Sequence, residues 1–323
     1  MLIKKTDDKT KDIETLRSLL NHPAATTETK KRLEQEIRNM ASGAKGEQDA
    51  AYEIDFHYGQ SKNWAVIHDL RLEHKGRVAQ IDHLLINRFL DFWVCESKRF
   101  AEGIAINEQG ECAMFWNGRP QGIGSPHEQN TKHIAVIKAA CDDGAVELPR
   151  RLGFSIKPAL TGLVVVSKNA RITRPKAKGW WNDGIVKADQ VKAKIEKSFD
   201  SDNNPLVMAK LISSDTLHDF AKNLTSLHVP ASFDWYAKFG LSKEFVAPAA
   251  PPPVKAMAAA EPAPVPNAPT EAEPKTSKLA CTSCGVVVEM RVARFCWFNK
   301  AKFGGNVYCM ECQKNAPKPV GAS

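Results

Sequence analysis

The chain of 323 residues contains no run of about 18 or more apolar residues, so a membrane-spanning helix is not expected. Its start, MLIKKTDDKTKD, lacks the apolar stretch of a secretory signal. The expected compartment is therefore the cytoplasm, where the 8 cysteines stay reduced rather than pairing as disulfides. No internal repeat is present. Charge excess is mild, a net +8 with a pI near 9.0, which is compatible with a polyanionic partner without requiring one. The hydrophobic share of 43% and charged share of 25% are those of an ordinary globular protein, and the length allows one sizeable core plus a smaller module.

Ile13, Leu16, Leu19 and Leu20, and then Leu33, Ile37 and Met40, recur at helical spacing. Residues 8–41 are thus expected as two helices parted at His22-Pro23, with Thr26 or Thr27 capping the second. This extension (1–42) would pack on the main domain or on a partner protein. An α/β domain is expected over 43–245: a helix at about 45–58, a strand at 64–72, a turn at His74-Lys75-Gly76, short strands with turns at Gln109-Gly110 and Asn117-Gly118, a helix at about 127–141, a buried strand at 161–167, a strand running into a helix over 184–199, and a helix over 205–224. Residues 246–278 hold nine of the chain's 19 prolines. They are expected to form a stiff, disordered Pro/Ala linker to a small module at 279–316.

The stretch QIDHLLINRFLDFWVCESK, Gln80–Lys98, reads as two apolar strands about a turn centred near Phe89. Pairing about that centre sets Asp82 opposite Glu96, with Cβ atoms about 4.5–5.5 Å apart. Alternation places Gln80, Asp82, Leu84 and Ile86 on one face with Phe92, Val94, Glu96 and Lys98, and Ile81, Leu85, Trp93 and Cys95 on the other. Both faces are apolar enough to be buried. Two opposed carboxylates in a partly dry place repel, so one takes a proton or a cation sits between them. Hard cations such as Mg²⁺ select such oxygens. A core ion cluster without chemistry is the alternative.

Two further polar residues fall on core-facing helix stripes. Glu47 shares one with Ala50, Ala51, Ile54 and Tyr58; pairing with the helix dipole is its plainer explanation. Gln129 lies in the first turn after Pro126, in line with His133, Ile137 and Ala140, where packing or capping is the plainer one.

The ordered set Gly46-Glu47, Ile81-Asp82-His83, Glu96-Ser97-Lys98, Pro126 and Gln129 resembles the nuclease-related domain (NERD), a branch of the PD-(D/E)XK nuclease superfamily, over about residues 43–165. The spacing of an Asp, thirteen residues and Glu-X-Lys is that superfamily's signature. The resemblance implies a restriction-endonuclease-like fold, a mixed central sheet flanked by helices. It further implies that Asp82 and Glu96, with the Ser97 carbonyl, hold Mg²⁺ or Mn²⁺, that Lys98 orients the attacking water, and that Glu47 completes the metal site or positions a second ion. Gln129 would orient the nucleophile or contact the nucleic-acid backbone. The reaction implied is phosphodiester hydrolysis of nucleic acid, with DNA the expected substrate. Two features depart from the family: Arg88-Phe89-Leu90 stands where a glycine-containing turn is usual, and Gly103 is the sole glycine soon after Lys98.

Cys281-Thr-Ser-Cys284 and Cys309-Met-Glu-Cys312 are two C-x2-C pairs separated by 24 residues. In a reducing compartment they supply four thiolates for one structural Zn²⁺; redox or disulfide pairs are the alternative. The strand-like Val286–Phe295 between them fits a zinc ribbon. Cys296 is either packed or a substitute ligand. Cys95, Cys112 and Cys141 are isolated and expected to be buried, and a nucleophilic Cys95 beside His83 is the other reading of the first. From Lys275 to the end, eight Lys/Arg face two Glu. Arg291, Arg294, Trp297, Lys300 and Lys302, with Phe295, Phe298 and Phe303, interleave charge and aromatics in the manner of nucleic-acid surfaces. The leading expectation is a metal-dependent nuclease tethered to a nucleic-acid-binding zinc ribbon. The alternatives are a non-catalytic nucleic-acid-binding or scaffold protein that keeps the fold, and a ribbon that docks protein. No membrane partner is expected.

Overall fold

The computed structural model describes residues 1–151, 153–200, 210–243 and 280–316. The chain divides into two units between Pro248 and Ala249. The first opens with strand β1 (Leu2–Lys4) and helices α1 (Thr10–Leu19) and α2 (Thr27–Tyr58). Thr26 caps α2, its hydroxyl accepting the Thr29 N–H at 3.1 Å. The helix then runs unbroken for 32 residues, so the boundary expected at 42/43 falls inside it. Gly43 and Gly46 cost the helix only about 1 kcal/mol each, and no proline or cap near them stops the ladder.

Strands β2 (Trp64–His74), β3 (Arg77–Asn87), β4 (Asp91–Lys98), β5 (Gly103–Ile106), β6 (Cys112–Trp116) and β7 (Arg119–Ile123) follow, then α3 (Pro126–Asp142). A small hairpin of β8 (Arg150–Arg151) and β9 (Phe154–Ser155) leads to β10 (Ala159–Val166), β11 (Arg171–Thr173), β12 (Ile185–Lys187) and α4 (Val191–Asp200). Helices α5 (Ser214–Ser226) and α6 (Trp235–Lys238) close the unit. The helix expected over 205–224 begins at Ser214, because the Ser213 hydroxyl caps it by accepting the Thr216 N–H; residues 205–209 lie outside the described residues.

The central sheet is mixed, in the order β1-β2-β3-β4-β10-β12. β2, β3 and β4 are antiparallel neighbours, while β1, β10 and β12 join in parallel. Leu84, Ile86, Phe92 and Val94 pack against α3 and α5. Leu85, Trp93 and Cys95 pack on the other face, against Ala50, Ile54 and Tyr58 of α2 and Ile195 of α4. Helices flank both faces, as the fold expectation has it. α1 and the start of α2 bury Leu16, Leu19 and Leu33 against Trp235 and Phe239, so this hairpin packs on its own unit. A second sheet, β11-β5-β6-β7, lies beside the first. Gly103 opens it at φ +138, where a Cβ would lie 2.2 Å from the Arg171 carbonyl oxygen; only glycine fits there.

Strict alternation fails at one place. Ala65 and Ile67 are followed on the same face by Leu70 and Leu72, and Ala79 and Ile81 by Leu84 and Ile86. Ile81 therefore sits with Leu84, not with Leu85 as alternation predicts. The cause is Asp69, at φ +54 within β2. A left-handed residue reverses the pleat, and aspartate tolerates that conformation better than most. The register is unchanged on either side, His68↔His83 and Leu70↔Ile81, so β3 slips in phase at Asp82, directly across from Asp69.

The β3–β4 turn also departs from the usual. Leu90 takes the positive φ, +59, that a glycine would supply. Asn87 secures the turn, its Oδ1 accepting the N–H groups of Phe89 and Asp91, while the Leu90 side chain is fully buried.

In the second unit, helices α7 (Met290–Phe298) and α8 (Lys300–Phe303) lie between the cysteine pairs. The strand expected over Val286–Phe295 is thus corrected: Ala280 and Val287 form an isolated bridge, and a helix starts after Glu289. Ala293 and Cys296 turn inward, which is helical spacing. The valines at 286–288 suggested a strand that the helix-forming Met-Arg-Val-Ala-Arg run does not continue. Residues 246–278 lie outside the described residues.

Candidate active site and four-cysteine centre

The β3–β4 ladder runs from Ile86↔Phe92 to His83↔Cys95. The next pair in that register is Asp82 and Glu96, where the ladder stops. In place of backbone pairing, the Asp82 carboxylate takes over: its Oδ2 accepts the Ser97 N–H at 2.8 Å and the Ser97 hydroxyl at 3.0 Å. β4 stays fixed by β10, with Val164↔Glu96, Val165↔Ser97 and Val166↔Lys98 in register. Glu96 is 2% exposed. Its Oε1 meets Lys98 Nζ at 2.7 Å, and its Oε2 lies 3.5 Å from His133 Nδ1 on α3. Neither Oε2 nor that ring nitrogen has a hydrogen-bond partner among the described residues.

The electrostatics tie in Glu47 from α2. Burial, then the charges of Asp82 and Asp69, push its carboxyl up to about 7, against the opposing pull of Lys9 and Lys98. Burial and the Glu96 charge raise Asp82. Burial also raises Glu96, with Lys98 opposing and Glu47 adding to the rise. Four acids, Glu47, Asp69, Asp82 and Glu96, thus share two lysines, Lys9 and Lys98. The donors are all oxygens, the set that Mg²⁺ and Mn²⁺ select, and Glu96 Oε2 is a buried acceptor with no donor. The residues fit a hard divalent ion. The acids nevertheless stand apart: among the described residues, only the cysteine group brings three or more ligand atoms within 4.8 Å of one another.

Several members were not foreseen. Asp69 is held by Lys9 Nζ at 2.9 Å, by Gln80 and by the Asp7 N–H. His68 and His83 are both buried, and their Nδ1 atoms are 2.8 Å apart. His83 Nε2 lies 3.2 Å from Ser97 Oγ, and burial followed by the facing His68 holds its pKa well below the usual histidine range. His68-Asp69 interrupts the apolar β2 just as Asp82-His83 interrupts β3, and that signal was available in the sequence. Lys9 reaches the site from a distant segment that no periodicity connects to it, while His133 lies on the α3 stripe that also carries Gln129, Ile137 and Ala140.

Gln129 sits exposed in the first turn of α3 and has no side-chain hydrogen bond among the described residues. Its neighbour Asn130 is buried and donates to the Val94 carbonyl at 2.7 Å, seating the helix over β4. A cleft of about 340 Å³ beside the acids is lined by Lys9, Glu47, Asp69, Arg71, Gln80 and Phe233 among others. A larger cavity of about 860 Å³, between β5–β7 and Trp180 and Trp181, includes none of Glu47, Asp82, Glu96 or Lys98 in its lining; the smaller cleft includes Glu47 but not Asp82, Glu96 or Lys98. Cys95 is fully buried, and burial followed by the Asp82 charge pushes its thiol up, the opposite of what a nucleophile needs.

Cys281, Cys284, Cys309 and Cys312 bring their sulfurs within 4.8 Å of one another. Cys284 and Cys309 are 3.7 Å apart, the edge of a tetrahedron whose centre lies about 2.3 Å from each sulfur. The group fits a tetrahedral ion. Cys296 is packed instead: its sulfur accepts the Tyr308 N–H and the Gln313 side-chain amide, each at 3.4 Å. Phe303 is buried in this module, and Phe295 and Trp297 are exposed, as is Lys302. The side chains of Arg291, Arg294, Phe298 and Lys300 lie outside the described residues.

Among the described residues no helix is long and apolar enough to cross a membrane. Residues 42–167 match the family model for the nuclease-related domain. No curated protein and no solved structure matches the chain.

Proposed function

Residues 42–167 are a nuclease-related domain, and from that premise we propose that the chain hydrolyses phosphodiester bonds of nucleic acid, DNA foremost, with Mg²⁺ or Mn²⁺. The observation that carries this reading is the place where β3 and β4 part, with Asp82, Glu96 and Lys98 gathered there and one Glu96 oxygen unpartnered. Asp82 and Glu96 would hold the ion, with Glu47 completing the set. A divalent ion bound there supplies Lewis-acid polarisation of the phosphate and a more acidic water. The protein's own part is to hold and aim. Ser97 fixes one oxygen of Asp82. Lys98, paired to Glu96 Oε1, offers an ammonium to the charge that develops on the phosphate. Gln129, at the exposed start of α3, meets the nucleic-acid backbone or the attacking water.

The second unit, with Zn²⁺ in its four thiolates, is assigned the targeting role. Trp297 and Lys302, with Arg291, Arg294 and Lys300, would contact nucleic acid by stacking and phosphate pairing. Tethering raises the effective concentration of the catalytic unit at its target.

The test is incubation of plasmid, linear duplex, single-stranded DNA and RNA with the full chain and Mg²⁺ or Mn²⁺, beside Lys98→Ala and Glu96→Gln. Cleavage that needs the divalent ion and falls by at least about 100-fold in both variants is expected. Binding without cleavage by the wild type would place the chain among non-catalytic relatives, and equal cleavage by the variants would remove the assigned site.

A further inference from the structure

The two best-buried polar side chains described in the first unit, His83 and His68, lie in one continuous chain of contacts that ends on Asp82. It starts at Asp55 on α2, whose carboxylate is 34% exposed and lies 3.1 Å from His68 Nε2. His68 Nδ1 meets His83 Nδ1 at 2.8 Å, the rings crossing edge to face. His83 Nε2 meets Ser97 Oγ at 3.2 Å, and Ser97 Oγ donates to Asp82 Oδ2 at 3.0 Å. His68 is 1% exposed and His83 0%, so water does not compete along the chain and each link strengthens the next.

The chemistry of the links sets their order. A carboxylate only accepts, so Asp55 fixes a hydrogen on Nε2 of His68. Ser97 has one hydroxyl hydrogen, which goes to Asp82, so a hydrogen is fixed on Nε2 of His83. The two rings then meet through Nδ1 and share one further hydrogen; three ring hydrogens on two imidazoles make the pair singly positive, and that charge falls on His68, beside the Asp55 carboxylate. Changing the acceptor at Asp55 alters what both rings can offer, and so how firmly Ser97 is held. Asp82 Oδ1 has no hydrogen bond among the described residues and is left to face a ligand.

We propose that Asp55, His68 and His83 are positioning residues, which through Ser97 fix the rotamer in which Asp82 receives its divalent cation. The inference rests on the nuclease reading of Asp82 and Glu96. Asp55 is eight residues from Glu47 on α2, about 12 Å along the helix, and contributes no ligand itself. Partners that orient a ligand in this way typically change metal affinity by about 10–100-fold.

The test is Mn²⁺ binding to the full chain, followed by the signal of free Mn²⁺ or by calorimetry, with thermal melts on every variant. Asp55→Asn and His68→Gln should each weaken Mn²⁺ binding by about 10-fold or more, with the Asp55→Asn melt close to wild type. Asp55→Glu, which restores an anionic acceptor, should recover most of the affinity. A purely structural role for the chain would lower melting temperatures and leave the affinity of the folded fraction unchanged. If a folded Asp55→Asn binds Mn²⁺ within twofold of wild type, the positioning role is wrong and the nuclease site stands. If wild type and Asp82→Asn bind Mn²⁺ alike, the metal site itself is wrong, and this inference falls with it.

Discussion

Glu47 is an acid kept where its charge is unfavourable. Its carboxyl is pushed up to about 7 from an ordinary value of 4.5. Between those values the native state holds a proton that the unfolded chain has lost, so this group's stabilising contribution is present below 4.5 and is lost as pH rises through about 7. Glu47→Gln is therefore expected to stabilise the first unit at pH 8, without divalent ions, by about 1–3 kcal/mol, and to give no gain near pH 4. Urea titrations at the two pH values check this; a variant less stable at pH 8 would make Glu47 a structural ion-pair partner instead. At this scale the sequence was readable wherever a charge broke an apolar strand. Asp82, Glu96 and Lys98 were found that way, and His68-Asp69 carries the same mark without a motif to draw attention to it. Lys9 was not readable, because what brings it to the acids is the packing of segments far apart in the chain; His133 lay on a readable helical stripe, but nothing in the stripe tells which residue meets Glu96.

Among the elements, the β3–β4 turn sets two effects against each other. Leu90 holds a left-handed conformation, which costs a non-glycine residue about 1–2 kcal/mol, yet its side chain is fully buried. Losing a buried leucine side chain costs about 2–5 kcal/mol, more than the strain that glycine would relieve. Leu90→Gly is thus expected to destabilise the first unit by about 1–3 kcal/mol, measured as a lower urea midpoint; a gain in stability would show that the strain outweighs the packing. The hairpins at Lys75-Gly76 and Asn117-Gly118 were legible because both residues of each turn take positive φ, which the sequence advertises in its glycines. The unbroken α2 was less so. His22-Pro23 and Gly43 both look like punctuation, but only the first of them interrupts a helix. The phase slip at Asp69 was invisible, since alternation on its two sides is regular and only the join is out of step.

For the molecule as a whole, the two units draw on different sources of stability. The first has apolar clusters on both faces of a six-stranded sheet. The second has a small cluster around Phe303 and Tyr308 beside four cysteines, too little to fold without a staple. Stripping Zn²⁺ with a chelator should melt α7 and leave the melting of the first unit unchanged, read by circular dichroism and by two separate thermal transitions; an α7 that persists after chelation would show that the thiols are not its support. The long α2 has a consequence of its own. It is gripped at Leu33 by the α1 hairpin and again at Ala50–Tyr58 by the sheet, and Glu47 lies on the span between, about 21 Å along the axis from the first grip. Like a beam on two bearings, it carries any settling of the amino-terminal bearing toward the acid, which lies within one turn of the second. Residues that touch no phosphate and no ion can therefore tune the aim of the centre.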